Sequence, residues 1–373
     1  MLIDKFPNLS GIDLQDANMT SMTRPITNCA NLKTVNLFGN FFTDIPENMF
    51  ENCEKLESAG IFNNKVSLVR NRTFGNLKNL QFLELSNNEI EEVQENSFAL
   101  LQKVYSLSLA HNLIRELDSE LLKPMINLER VWLNGNKLKF VDKIFFTANK
   151  KLRFIALAEN EIATLEADLF EGLDNLENVM LGINKIEALP IFKPLVVLKE
   201  LTIFANRLKE IKVGRLDNLS HLKNLDFSSN QIKEIEVGAF RNLTLLSVLT
   251  LEYNEISTLE DDVFFGLKSL VLLNLSSNKL QTVKAETFND LSSLNHLNLA
   301  KNQIRVIDLK MFENLPSLTK LSLWGNQCTN KNYENAAFAD KSFLEDLEKC
   351  SGNLTKLNLQ LFFIVAFTYW LVM

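Results

Sequence analysis

A primary amide carries two N–H donors and a carbonyl acceptor on one plane, so it can hold backbone groups that have lost their partners. Asparagine places that group at Asn40, Asn64, Asn88, Asn112, Asn136, Asn160 and Asn184, each 24 residues after the last. One 22-residue step leads to Asn206, and the 24-residue interval resumes at Asn230, Asn254, Asn278, Asn302 and Asn326. Each stands where alternating leucines, as in LVLLNLSSNKL at 270–280, would put their next apolar residue. Strand interiors disfavour asparagine, and an unpaired amide in a core costs free energy. A phase held from Asn40 to Asn326 rejects a set of solvated loops. The expected chemistry is a buried ladder in which each amide satisfies backbone groups of its own turn and the next.

No constellation points to catalysis. The patterns GxSxG, HExxH, CxxC, GxGxxG and GxxxxGK do not occur. His111, His221 and His296 fall in distant repeats at positions expected to be exposed, and the acidic runs EIEEVQE (89–95) and LEDD (259–262) read as solvated surface. The expectation is no enzyme, no metal and no cofactor. A formal charge of −7 and a pI near 5.3, with no dense Lys/Arg patch, argue against a nucleic-acid partner.

The elements that position the amides follow from the period. In LxxLxLxx, residues such as Leu273 and Leu275 point inward and Asn274 outward, as in a short strand. Ten residues after most ladder asparagines comes a phenylalanine: Phe50, Phe74, Phe98, Phe146, Phe170, Phe240, Phe264, Phe288 and Phe312, with Leu122 and Leu216 in two copies. One such turn cannot bury its own apolar face, so neighbours must stack. In the 22-residue copy, NKIEALPIFKPLVVL (184–198), two residues are missing between Leu189 and Phe192, flanked by Pro190 and Pro194. A local tightening is expected there.

The pattern xxLxxLxLxxNxLxxLxxxxFxxL, as in LKNLQFLELSNNEIEEVQENSFALL (77–101), resembles the leucine-rich repeat proteins, specifically their mostly extracellular 24-residue subfamily. The resemblance covers about residues 9–328 and implies an α/β solenoid, a horseshoe with a parallel sheet on its concave side and a mostly irregular convex side. The expected organisation is a solenoid over 1–327 (with a degenerate turn around Leu9, Ile12 and Leu14), a C-terminal cap over 328–350 and an apolar tail over 351–373.

Terminal turns must be covered. Cys29 and Cys53 occupy the same place in adjacent turns, where a spacing near 5 Å suits a disulfide; the alternative is a pair of small buried apolar residues. Cys328 and Cys350 bracket TNKNYENAAFADKSFLEDLEKC, whose FADKSFLEDLEK reads as a short helix over the last turn. The resemblance implies a cysteine-bearing cap, although the usual four-cysteine set is absent. Seven N-x-[ST] sequons begin at Asn8, Asn18, Asn71, Asn218, Asn242, Asn274 and Asn353. Asn71, Asn218 and Asn242 belong to the convex side, and Asn274 to the concave strand.

The run LFFIVAFTYWLVM (361–373) is shorter than the ~20 residues of a spanning helix. It fits a lipid-anchor signal attached at Ser351, a truncated transmembrane segment or an apolar tail. A surface anchor without a visible signal peptide implies that the natural N-terminus lies upstream.

The outward strand positions of the third to eighth repeats carry Phe82, Arg130, Trp132, Phe154, Met180 and Phe204, with Glu84 nearby; Trp132, Phe154, Met180 and Phe204 are expected within reach of one another. Exposed aromatic and methionine clusters mark protein contacts. A glycan at Asn274 would keep the later, more polar repeats free. The resemblance is greatest to invertebrate cell-surface adhesion proteins of the chaoptin and connectin kind and to mosquito leucine-rich immune proteins, without their coiled coil. The implied function is extracellular protein recognition, with a protein ligand or receptor, or a second copy, as partner and the membrane at the C-terminal tail. The alternatives are a Toll-like decoy or co-receptor ectodomain, or an intracellular scaffold.

Overall fold

The computed structural model describes residues 8–351 except 23, 24, 27, 28, 48, 193, 194, 336, 337 and 339–341. The expectations for the tail, Asn353 and Pro194 fall outside the described residues. Two compact units divide the chain, residues 1–208 with 214–224 and residues 209–213 with 225–373.

In the first unit each repeat contributes a three-residue strand: Gly11–Asp13, Thr34–Asn36, Ser58–Gly60, Phe82–Glu84, Ser106–Ser108, Arg130–Trp132, Phe154–Ala156, Asn178–Met180 and Glu200–Thr202. Each pairs in parallel with the next without a slip, so Phe82, Ser106, Arg130 and Phe154 form one row. Parallel neighbours one period apart mean that every repeat is a full turn of a solenoid. Middle residues such as Leu83, Leu107, Val131 and Ile155 are fully buried, because alternation sends them inward. In the second unit Val248–Thr250, Leu272–Asn274, His296–Asn298 and Lys320–Ser322 pair the same way.

The amides from Asn40 to Asn302 are buried, whereas the last, Asn326, is half-buried. Asn88 donates from Nδ2 to the carbonyls of Ile61 (2.9 Å), Leu85 (3.1 Å) and Ser86 (3.2 Å), and its Oδ1 accepts from Val66 N–H at 3.0 Å. The same donations recur at Asn112 and Asn160 in the first unit and at Asn278 and Asn302 in the second. The second turn each amide serves is the preceding one, whereas the sequence suggested the following one. The reason is that the N–H and C=O of the inward-facing residue just after each strand both point to the following turn. Ile61 N–H bonds Glu84 there, and the Ile61 carbonyl finds the Asn88 amide.

A second column sits one residue earlier. In the first unit Gly39, Asn63, Asn87, His111, Gly135, Glu159, Ile183 and Ala205 all have φ between 52° and 69°, and in the second unit Ser229, Tyr253, Ser277, Lys301 and Gly325 have φ between 53° and 75°. This left-handed residue swings the chain off the strand so that the next side chain, the ladder amide, enters the core.

The opposite side holds the phenylalanine column. Centroids are 6.1 Å apart for Phe50–Phe74 and 6.2 Å for Phe74–Phe98 in the first unit, and 6.2 Å for Phe240–Phe264 in the second. Phe192 stacks on Phe170 at 6.1 Å, so the 22-residue repeat keeps its ring in the column while losing two back-side residues. Two-residue parallel strands also form on this side, Leu68–Val69 with Glu92–Val93 in the first unit and Thr282–Val283 with Val306–Ile307 in the second. That regularity was not expected from the sequence. Helix among the described residues is short: the 3₁₀ segments Glu286–Phe288, Leu309–Glu313 and Glu348–Cys350, and the α-helix Ser342–Leu347.

Both cysteine pairs are disulfides, Cys29–Cys53 with Cα atoms 4.8 Å apart and Cys328–Cys350 at 5.2 Å. The cap helix buries Phe343 and Leu347, with Phe343 meeting Phe312 at 4.8 Å and Tyr333 at 5.9 Å. The cap also contains a strand that the sequence reading missed: Asn332–Glu334 runs antiparallel to Lys320–Ser322.

Candidate functional site

The open face of the first unit's sheet carries the outward side chains of strands whose inward residues make the core. Arg130 is exposed, and Phe82, Trp132, Phe154, Met180 and Phe204 are half-buried. Trp132 and Phe154, on adjacent strands and diagonal to one another, hold their rings 5.2 Å apart at 41°. That tilted geometry is favoured between aromatic quadrupoles.

The register corrects the expected cluster. Met180 is flanked by Ala156 and Thr202, so Ala156 separates it from Trp132. Phe204 stands two residues beyond its strand neighbours, with its ring over Gly182. Glu84 is separated from Trp132 by Ser108, and its carboxylate accepts from Ser86 N–H at 2.9 Å instead of facing Arg130. The patch is therefore a row of large side chains set among small buried ones, with Ser108 at 6% and Ala156 at 2% exposure.

Charge at the border is neutralised within the chain. Glu177 accepts from Lys199 Nζ at 2.6 Å and from Arg153 Nε at 2.9 Å. The Lys199 and Arg153 cations hold its carboxyl below the ordinary carboxylate range. Glu200 accepts from Asn178 Nδ2 at 2.9 Å.

Other sequence-derived positions are placed as follows. Asn8, Asn18, Asn71, Asn218 and Asn242 are exposed. Asn274 is half-buried, and its Nδ2, the atom a glycan would need, donates to Glu252 at 2.9 Å. Ser351 is buried and its hydroxyl donates to the Glu348 carbonyl at 2.6 Å. His111 and His221 are exposed, but His296 is half-buried in its strand between Leu272 and Lys320. No cluster among the described residues could hold a metal, and no described helix is long and apolar enough to cross a membrane.

Sequence reasoning missed three surface features. Phe38 and Phe62 stack at 4.4 Å on the sheet face of the first repeats; their 24-residue spacing at the register of Phe204 was the available signal. In the second unit Trp324, 42% exposed, lies under Lys301 Nζ at 4.8 Å. Ile183 is exposed in the left-handed column, which no residue type announces.

The leucine rich repeat family model matches residues 30–90, 60–114, 126–186, 196–256, 220–280 and 270–327. The chain belongs to the leucine-rich repeat family. Among solved structures, a leucine-rich repeat protein of Leptospira interrogans is 25% identical over 93% of this chain and 96% of its own length, with a TM-score of 0.71. TLR13, solved with ssRNA13, is 26% identical over 90% of this chain with a TM-score of 0.73. Drosophila Toll, solved in complex with Spatzle, is 25% identical over 81% of it, also at 0.73. This leucine-rich repeat chain spans 48% of the TLR13 chain and 42% of the Toll chain. No curated protein matches it in sequence.

Proposed function

We propose that this leucine-rich repeat protein is a non-enzymatic recognition module of the extracellular space or cell surface, in innate immune recognition or cell adhesion. It takes a protein partner on the open sheet face of its third to eighth repeats. The observation that carries the reading is the Trp132–Phe154 pair, continued by Met180 and Phe204, on a face whose side chains the core does not need. The likeness to Toll, solved with a protein partner, supports a protein ligand and the immune setting. RNA, with which TLR13 is solved, does not suit this face: Arg130 is the one cation at the outward strand positions of the first unit, and a phosphate backbone needs several. Two disulfides support an oxidising compartment. Attachment to the membrane through residues 351–373 belongs to the same reading.

The test compares the chain, secreted from animal cells, with its Trp132→Ser, Phe154→Ser, Phe204→Ser triple variant for binding to surface proteins of the source tissue. Loss of binding with a nearly unchanged melting temperature is expected. Equal binding would reject the face. Release of the native protein from cells by phospholipase tests the anchor.

A further inference from the structure

The face holds one ionic group that the fold leaves unanswered. The Arg130 side chain is exposed, makes no hydrogen bond or ion pair with the described residues, and lies in register between Ser106 and Phe154. Three carboxylates of this face and its border are engaged elsewhere, Glu84 by Ser86 N–H, Glu200 by Asn178 and Glu177 by Arg153 and Lys199, and Glu129, next in the chain, makes no ion pair with Arg130. A guanidinium is a planar fork that fits a carboxylate through two parallel hydrogen bonds. One such fork beside Trp132 and Phe154 suits a single carboxylate on an otherwise apolar contact.

The apolar part of that contact extends off the sheet. Ile183 has φ of 55° and is the only β-branched residue with positive φ among the described residues. The left-handed region is a genuine outlier for a β-branched side chain. The strain secures no burial, since Ile183 is 46% exposed. It sits in the turn after Met180 and Gly182, and its N–H donates to the Phe204 carbonyl at 2.8 Å. The angle is the one every turn uses to seat its amide; what the fold does not require here is the residue type, an exposed isoleucine.

Resting on the reading of this face as the binding site, we propose that the partner presents a carboxylate beside a bulky apolar side chain. The carboxylate bonds Arg130 and the bulky apolar side chain lies on Trp132 and Phe154, while Met180, Phe204 and Ile183 take further apolar residues of the same segment. The partner is thus a protein segment pairing Asp or Glu with Leu, Phe or Trp, and its affinity weakens with salt.

The test uses a displayed random-peptide library panned on the full secreted chain, with synthetic versions of the enriched peptides titrated against variants. Enriched peptides should pair an acidic with a bulky apolar residue. They should lose about tenfold or more in affinity on Arg130→Glu, consistent with loss of a charge-assisted pair. Ile183→Asn should weaken the same peptides while leaving the chain folded. No enrichment, enriched peptides lacking an acidic residue, or indifference to Arg130→Glu would overturn the inference. Peptides that bind the Trp132, Phe154, Phe204 triple variant as tightly as the parent would sink the reading of the face itself. If the triple variant abolishes binding and Arg130→Glu does not, the face stands and the carboxylate does not.

Discussion

The Phe204 ring lies so close over Gly182 that a Cβ built on the glycine would fall 2.3 Å from Phe204 Cε1. Glycine is what lets a large ring come this close to the backbone at that point, so the apolar face and the backbone beneath it are coupled. Gly182→Ala should push the Phe204 ring off its seat, with a stability change under about 1 kcal/mol because the ring is half-buried and can move. A crystal structure of the variant with the ring still in place would refute this.

Asn160 shows what an interior rung is worth. Its Nδ2 reaches the carbonyls of Leu133 (3.0 Å), Leu157 (3.1 Å) and Ala158 (3.1 Å), and its Oδ1 accepts from Leu138 N–H at 3.0 Å. Asn160→Ala orphans buried groups in two turns and should cost about 1–3 kcal/mol. A urea unfolding midpoint equal to that of the parent would mean that water replaces the amide at no cost.

The left-handed isoleucine gives the opposite sign. Ile183→Asn installs a residue that tolerates φ of 55° at an exposed position. It should stabilise the chain by about 1 kcal/mol through relief of backbone strain. Differential scanning calorimetry checks this, and a lowered melting temperature would show that the side chain packs better than its exposure suggests.

The disulfide between adjacent first turns closes a loop over a sequence separation of 24. Cys29→Ala with Cys53→Ala should destabilise by about 3 kcal/mol on the chain-entropy account. The readout is the denaturant midpoint of the double variant against the parent.

Glu177 sets an acid limit. Its carboxyl is held below the ordinary value of 4.5 by Lys199 and then Arg153. A depressed folded-state pKa contributes stability that is complete above the unfolded value, so this contribution is present above about pH 4.5 and fades as pH falls further. The effect should be small and weakened by salt, since both cations are half-exposed. Glu177→Gln should flatten the fall in melting temperature between about pH 5 and pH 3; an unchanged slope would place the acid sensitivity elsewhere.

Much of this was legible in the sequence, for reasons that differ residue by residue. The ladder asparagines and the phenylalanine column each need one side-chain type at one phase, so Asn88 and Phe74 declare themselves by period alone. The left-handed column needs a backbone angle, not a side chain, and Glu159, Ile183, Tyr253 and Lys301 share nothing a reader could align. The candidate face was found as a set of outward positions, but not as a geometry. Only the register shows that Ala156 stands between Trp132 and Met180, and that Glu84 turns to its own Ser86. The cap strand escaped notice because Asn332–Glu334 has no alternating apolar run. It is specified by an edge waiting for it.

The backward reach of the amides has a consequence for the C-terminal end. Because each turn is completed by its successor, the final turn has no successor to complete it. Elsewhere in the second unit Leu299 and Lys301 N–H groups bond the next turn, at the Ser322 and Trp324 carbonyls. For the corresponding Leu323 and Gly325, the acceptors are Lys331 O and the side chains of Asn332 and Asn330, at 3.1, 3.2 and 2.6 Å. The cap is an imitation of the missing coil, and the second unit reads as a one-way stack with a stopper. A cut ahead of Asn330 would leave the Leu323 and Gly325 N–H groups without these acceptors and open the second unit from its last turn.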